Sequence, residues 1–155
     1  MPMKYISLKT LRSYFLLILC LAILLSSSLL ASDSESFGTV KVSEVTSVYD
    51  GDTFRVNLQD YPPLVGKRIS VRVAGIDTPE MDDPNPSIQA KAQQAKQFTV
   101  EKLRGGKRIE LRNMRRDKYF RILAEVWVDN TSLSDQLIKA GLAKPYFGGH
   151  KEKWL

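Results

Sequence analysis

Two short acidic segments hold the residues of this chain best able to grip a hard metal ion: Asp50-Gly51-Asp52-Thr53 and Asp77-Thr78-Pro79-Glu80. One carboxylate from each, with a backbone carbonyl, makes an open oxygen-ligand site for a divalent cation. Taken singly, Asp-Gly and Asp-Thr-Pro are turn formers, chosen for backbone reasons. A basic stretch in the same small domain shifts the balance toward a site. Residues 102–121 hold nine Lys and Arg against only Glu110 and Asp117. Arg72 and Arg121 stand among apolar strand residues, where a long cation needs a partner. A phosphodiester anion is a natural one, since each guanidinium offers a planar fork of donors.

Composition removes most rival chemistries. The 155 residues include one Cys, Cys20, and one His, His150. That excludes an internal disulfide framework, a Cys-cluster or His-pair zinc site and a Cys–His dyad. A Ser-His-Asp triad would rest on His150 alone. Hydrolytic chemistry therefore falls to carboxylates, arginines and a hard metal ion.

Residues 1–31 read as an address. Lys4, Lys9 and Arg12 precede an apolar run from Ser13 to Ala31, the pattern of a secretory signal peptide cleaved after Ala31. An uncleaved N-terminal membrane anchor is the alternative, because the run is nearly long enough to span a bilayer. Both place the remainder outside the cytoplasm, secreted or periplasmic in the first case. Of 23 basic and 17 acidic residues, three basic ones lie in 1–31, leaving 20 against 17, or +3. Residues 102–121 alone carry 9 minus 2, or +7, so the rest of the domain is net acidic. The expected organisation is an address over 1–31, a linker over 32–38, one domain over 39–148 and a tail over 149–155.

The elements that must position these residues follow from periodicity and punctuation. Thr39–Val48 is β-branched and reads as a strand, and Asp50-Gly51-Asp52 as a hairpin turn with Gly51 supplying positive φ. Thr53–Leu58 alternates as a half-buried strand, Tyr61-Pro62-Pro63 breaks it, and Lys67–Ile76 is a third strand. A helix is expected from Ser87 to Arg104, with Ile88, Ala92, Ala95, Phe98 and Leu103 near one face. Gly105-Gly106 should end it in left-handed fashion. Strands Lys107–Asn113 and Arg121–Val128, joined by the basic segment 114–120, precede a second helix over Leu133–Ala140 stopped by Gly141. This order predicts an α+β OB-fold: a five-stranded barrel with a helix between strands three and four and another after strand five.

The segments VYDGDTFRV, VRVAGIDTPE, DKYFRILAEVWVD and LIKAGLAKPY closely resemble the staphylococcal (micrococcal) nuclease family, the thermonucleases. The resemblance covers about Val40 to Tyr146. It implies an OB-fold and calcium-dependent cleavage of DNA and RNA to 3′-phosphate products, with single-stranded substrate favoured. Carried over by position, Asp52 and Asp77 resemble the calcium carboxylates, Thr78 the carbonyl ligand and Glu80 the carboxylate that holds or deprotonates water. Arg72 and Arg121 resemble the phosphate-binding arginines, Lys118 and Tyr119 match positions that line the family's nucleotide pocket, and Tyr146 matches a base-stacking tyrosine, offset by one residue. Phe120 departs from the pattern by standing where the family has a small Gly. Loop 81–87 is short and carries Asp82 and Asp83. The chain also ends without the third helix of the best-known member, so Trp154 is expected across the base of the barrel.

One geometric demand comes with this reading. Arg72 and Asp77 are five residues apart, an odd separation that puts side chains on opposite faces of a straight strand. Both reach one site only if the strand bends, and Gly75 is the expected bend. The competing reading is a non-catalytic OB module that binds nucleic acid; it has no use for Glu80 and would keep a salt-sensitive affinity without divalent ions. A monomer is the default.

Overall fold

The computed structural model describes residues 36–154. The address read over 1–31, with its cleavage or anchoring, lies outside the described residues, as do 32–35 and Leu155. Strand β1 (Val40–Val48) pairs antiparallel with β2 (Thr53–Leu58), which pairs antiparallel with β3 (Ile69–Val73). In β2 the alternation holds: Phe54, Val56 and Leu58 are buried and Arg55 is exposed. Tyr61-Pro62 is followed by one helical turn, α1 (Pro63–Gly66), which the periodicity does not predict. Gly75, at φ +81, breaks the chain between β3 and a two-residue strand β4 (Ile76–Asp77). The bend demanded by Arg72 and Asp77 is there.

Helix α2 (Pro86–Gly105) starts where expected, with the Asn85 side chain accepting a hydrogen bond from the Ser87 N–H at 3.0 Å. Its buried face is Ile88, Ala92, Ala95, Thr99 and Leu103, with Phe98 packed at the margin of the core. Its end differs from expectation. Gly106 is extended (φ −72), not left-handed, and a Cβ there would stand 2.3 Å from Val128 Cγ1. Close packing, not backbone handedness, calls for glycine.

Strands β5 (Ile109–Arg116) and β6 (Ile122–Val128) pair antiparallel. β5 runs three residues beyond the expected Asn113, because Asn113 takes φ +50 and the register shifts between Arg112 and Arg115. That bulge brings Met114 into the core. β1 pairs with β5, and β3 lies parallel to β6 with Val71 opposite Ile122, so five strands close in the order β3-β2-β1-β5-β6. This is the OB-fold. β7 (Thr131–Ser132) turns back to pair antiparallel with the end of β6 and leads into α3 (Leu133–Lys139), whose Leu133 and Leu137 complete the core with Phe54, Val71 and Leu111. Gly141 (φ +68) terminates α3 as expected. A last strand, β8 (Lys144–Pro145), pairs antiparallel with β4, placing Asp77 opposite Lys144. Residues 146–154 are therefore tied to the strand that carries Asp77. Trp154 lies under the ammonium groups of Lys91 on α2, at 5.2 Å, and Lys144, at 4.9 Å. Among the described residues no helix is long and apolar enough to cross a membrane.

Candidate active site

The β1–β2 turn is held from two sides. The Asp50 carboxylate accepts hydrogen bonds from the N–H groups of Asp52 (2.9 Å) and Thr53 (2.7 Å). The Thr99 hydroxyl of α2 donates to the Gly51 carbonyl at 2.6 Å. Gly51 does not take the positive φ expected of it. It is needed because a Cβ would stand 2.8 Å from both Ala95 Cβ and Thr78 Cγ2. The turn is thus clamped between α2 and the Asp77-Thr78 segment, which brings the two acidic motifs together.

Asp52 is fully buried and Asp77 and Thr78 nearly so. Arg72 projects from β3 with one fork nitrogen on Asp52 Oδ1 and the other 3.2 Å from Asp77 Oδ1. One guanidinium therefore bridges the two carboxylates. Asp52 Oδ1 also accepts from the Thr53 hydroxyl (3.0 Å), and Oδ2 from the Thr78 N–H (3.0 Å) and hydroxyl (3.1 Å). All four lone-pair positions of Asp52 are engaged. Burial pushes the Asp52 carboxyl up to about 7; Arg72 opposes the rise and Asp50 adds to it.

Above this floor opens a cleft of about 750 Å³. Arg72, Glu80, Lys118, Tyr119, Arg121 and Tyr146 all line it, whereas Asp52, Asp77 and Thr78 lie behind its wall. Arg121 stands just before β6 and is aimed by Asp117. The Asp117 carboxylate accepts from Arg121 Nε at 2.7 Å and from the backbone N–H groups of Tyr119 (2.8 Å) and Arg121 (2.9 Å). Burial alone would raise the Asp117 carboxyl, but these bonds hold it below the usual carboxylate range. The Tyr119 ring lies 5.3 Å from the Arg121 guanidinium and 5.0 Å from the Lys118 ammonium. Phe120 sits in this turn at φ +62, with its ring largely exposed. The conformation suits glycine, and no packing compensates the phenylalanine for adopting it.

Sequence reasoning missed Lys151. Its ammonium lies 2.8 Å from Asp77 Oδ1 and 2.7 Å from Glu80 Oε1. Burial would lower its pKa, but the bonds to Asp77 and Glu80 raise it. The one signal for it was Gly148-Gly149: both take positive φ and fold the chain back toward the cleft. Tyr49 and Phe147, exposed at the cleft, were missed as well. Three of the nine cations in the run 102–121 pair with its two acids: Arg121 with Asp117, while Arg108 and Arg112 flank Glu110 with bonds of 2.5 and 2.7 Å. Those bonds hold the Glu110 carboxyl below its ordinary range.

The sequence matches the family described as Staphylococcal nuclease homologue over residues 70–153, just over half of the 155 residues. The chain belongs to the staphylococcal nuclease family. It is 36% identical over 105 residues to a thermonuclease of Staphylococcus hyicus, covering 67% of this chain and 59% of that protein. It is 39% identical over 97 residues to endonuclease YncB of Bacillus subtilis (strain 168), covering 61% and 43% respectively. A probable endonuclease, LCL3 of Pyricularia oryzae, is 33% identical over 137 residues, covering 71% and 53%. The chain thus spans about half of each of these relatives.

A calcium ion, which the family resemblance implies, can be tested against the residues present. Among the described residues, no group of three or more His, Cys, Asp and Glu side chains stands in metal-holding geometry. The donor chemistry nevertheless fits a hard cation. Asp50, Asp52, Asp77 and Glu80 supply four carboxylates, and Arg72 and Lys151 two cations, so full ionisation leaves two negative charges. A divalent ion neutralises that excess and would favour the ionised form of Asp52. Two of the four bonds to Asp52 come from threonine hydroxyls, which can rotate away and free lone pairs without backbone movement.

Proposed function

We propose that this chain is a calcium-dependent endonuclease that hydrolyses phosphodiester bonds of DNA and RNA to 3′-phosphate products, favouring single-stranded substrate. The observation that carries the reading is the convergence of Arg72, Glu80 and Arg121 on one cleft whose floor is the Asp52–Arg72–Asp77 bridge. Asp52, Asp77 and the Thr78 carbonyl would hold the calcium, which when bound neutralises the phosphodiester and orients water. Glu80 stands at the cleft mouth, where it can aim that water or take its proton. Arg72 and Arg121 offer fork donors to the charge that builds on the phosphoryl oxygens. Arginine stays protonated, so Arg121 acts as an electrostatic stabiliser and not as a general acid. Lys118, Tyr119 and Tyr146 flank the place where a nucleotide base and sugar would rest.

The basic, apolar pattern of residues 1–31 supports secretion or periplasmic export, or a membrane anchor with the domain outside the cytoplasm. The deciding experiment is digestion of denatured DNA with calcium, with chelator, and with Glu80→Gln. Cleavage that needs calcium and is lost in the variant is expected. A chain that binds the DNA with or without calcium and never cuts it is instead the OB-fold binding module.

A further inference from the structure

We propose that the Lys151 side chain is a built-in competitor for the divalent cation at Asp77 and Glu80, so that the C-terminal segment sets the cation affinity of the cleft. The inference rests on reading that carboxylate pair as the cation-facing part of a nuclease site. Its basis is the pair of contacts from one ammonium, 2.8 Å to Asp77 Oδ1 and 2.7 Å to Glu80 Oε1. The Glu80 side chain is 57% exposed, and Lys151 is the side chain that pairs with it among the described residues. An exposed Lys–Glu pair by itself contributes little. Here the same ammonium also meets Asp77, whose side chain is only 7% exposed, so it stands where a metal bound to that carboxylate would be its near neighbour.

The segment that delivers Lys151 is fastened on both sides. Before it, β8 pairs with β4, the Tyr146 N–H donates to the Gly75 carbonyl at 2.9 Å, and the Tyr146 hydroxyl donates to the Gly149 carbonyl at 3.0 Å. After it, Lys144 Nζ donates to the Lys153 carbonyl at 2.9 Å, and Trp154 lies under Lys91 and Lys144. A tethered group held this way competes at high effective concentration. Lysine suits the role, since its compact charge rides on a flexible stem that can withdraw. A divalent ion and an ammonium a few ångströms apart in a half-buried cleft repel strongly enough to alter affinity about tenfold. A clasp that merely pins the tail predicts no such effect.

The test titrates calcium chloride into the purified full chain and its Lys151→Met, Lys151→Arg and Trp154→Ala variants, followed by calorimetry, with circular dichroism as a check of folding. Lys151→Met is expected to bind calcium about tenfold more tightly. Lys151→Arg should stay near the parent, and Trp154→Ala, which unpins the segment but keeps the charge, should tighten binding a few-fold. Unchanged or weaker binding in Lys151→Met overturns the proposal, as does the absence of calcium binding in all four proteins. If Lys151→Met fails to fold, Trp154→Ala decides by the same criterion. Denatured-DNA cleavage by the same preparations separates the two readings. Tightening without cleavage in any of them upholds the competition and rejects the nuclease. Calcium-dependent cleavage with unchanged affinity in Lys151→Met does the reverse.

Discussion

The floor of the cleft and its rim hold their charged groups by different means. On the floor, Arg72 joins residues 20 and 5 positions away in sequence, with its side chain 15% exposed and both carboxylate partners buried. On the rim, Arg121 is oriented by Asp117, four residues away, inside a single turn that is largely open to water. The floor is part of the fold: undoing it leaves buried charges without partners. The rim is local hydrogen bonding attached to the fold. Changes there should alter chemistry while sparing stability, and changes on the floor should do both.

The largest effect expected from this contrast is at Arg72. Arg72→Met leaves Asp52 and Asp77 buried without their shared partner and should cost about 3–5 kcal/mol in chemical denaturation, together with loss of cleavage. A stable Arg72→Met protein would show that the floor is not integral to the fold. Arg121→Lys should lower turnover by about 10²–10³-fold with little change in KM or in unfolding free energy, because a lysine cannot present the planar fork to the developing charge. A comparable loss of stability would erase the distinction between the two regions.

Asp52 supplies a pH test of the floor. Its folded-state pKa, about 7, lies above the ordinary 3.8, so the folded chain binds the proton more tightly than the unfolded one. Stability of the chelator-treated protein should therefore be greatest below the ordinary value and fall as pH rises toward about 7, by at most about 1.4 kcal/mol per unit. Asp52→Asn should flatten that slope in a series of thermal melts. The smallest expected effect is on the rim: Phe120→Gly relieves a left-handed backbone at an exposed side chain and should stabilise the domain by about 1 kcal/mol. A melting temperature that falls instead would mean that the exposed ring makes contacts that matter.

Much of the barrel was legible along the chain because its signals are local. The alternation of Thr53–Leu58, the cap at Asn85-Pro86 and the stop at Gly141 each act over a few residues. The bend at Gly75 could be deduced from parity, once Arg72 and Asp77 had to face one site. Other glycines misled for a physical reason. Gly51 and Gly106 look like backbone-handedness positions, yet their conformations are ordinary, and Ala95, Thr78 and Val128 leave no room for a Cβ. Only packing between distant segments reveals that. β5 outran its expected end for a related reason: the bulge at Asn113 resets the alternation, so a strictly periodic reading stops too early.

From its own residues, then, this chain settles the order of its five barrel strands and two longer helices, the carboxylates and arginines available to it, and the restriction of any histidine or cysteine chemistry to one position each. Tertiary structure alone decided that one guanidinium spans Asp52 and Asp77, and that Lys151, 71 residues along the chain from Glu80, comes to rest on that carboxylate. Periodicity and turn chemistry reach a few residues in each direction. Contacts between such distant groups exist only once the barrel has closed and β8 has docked on β4.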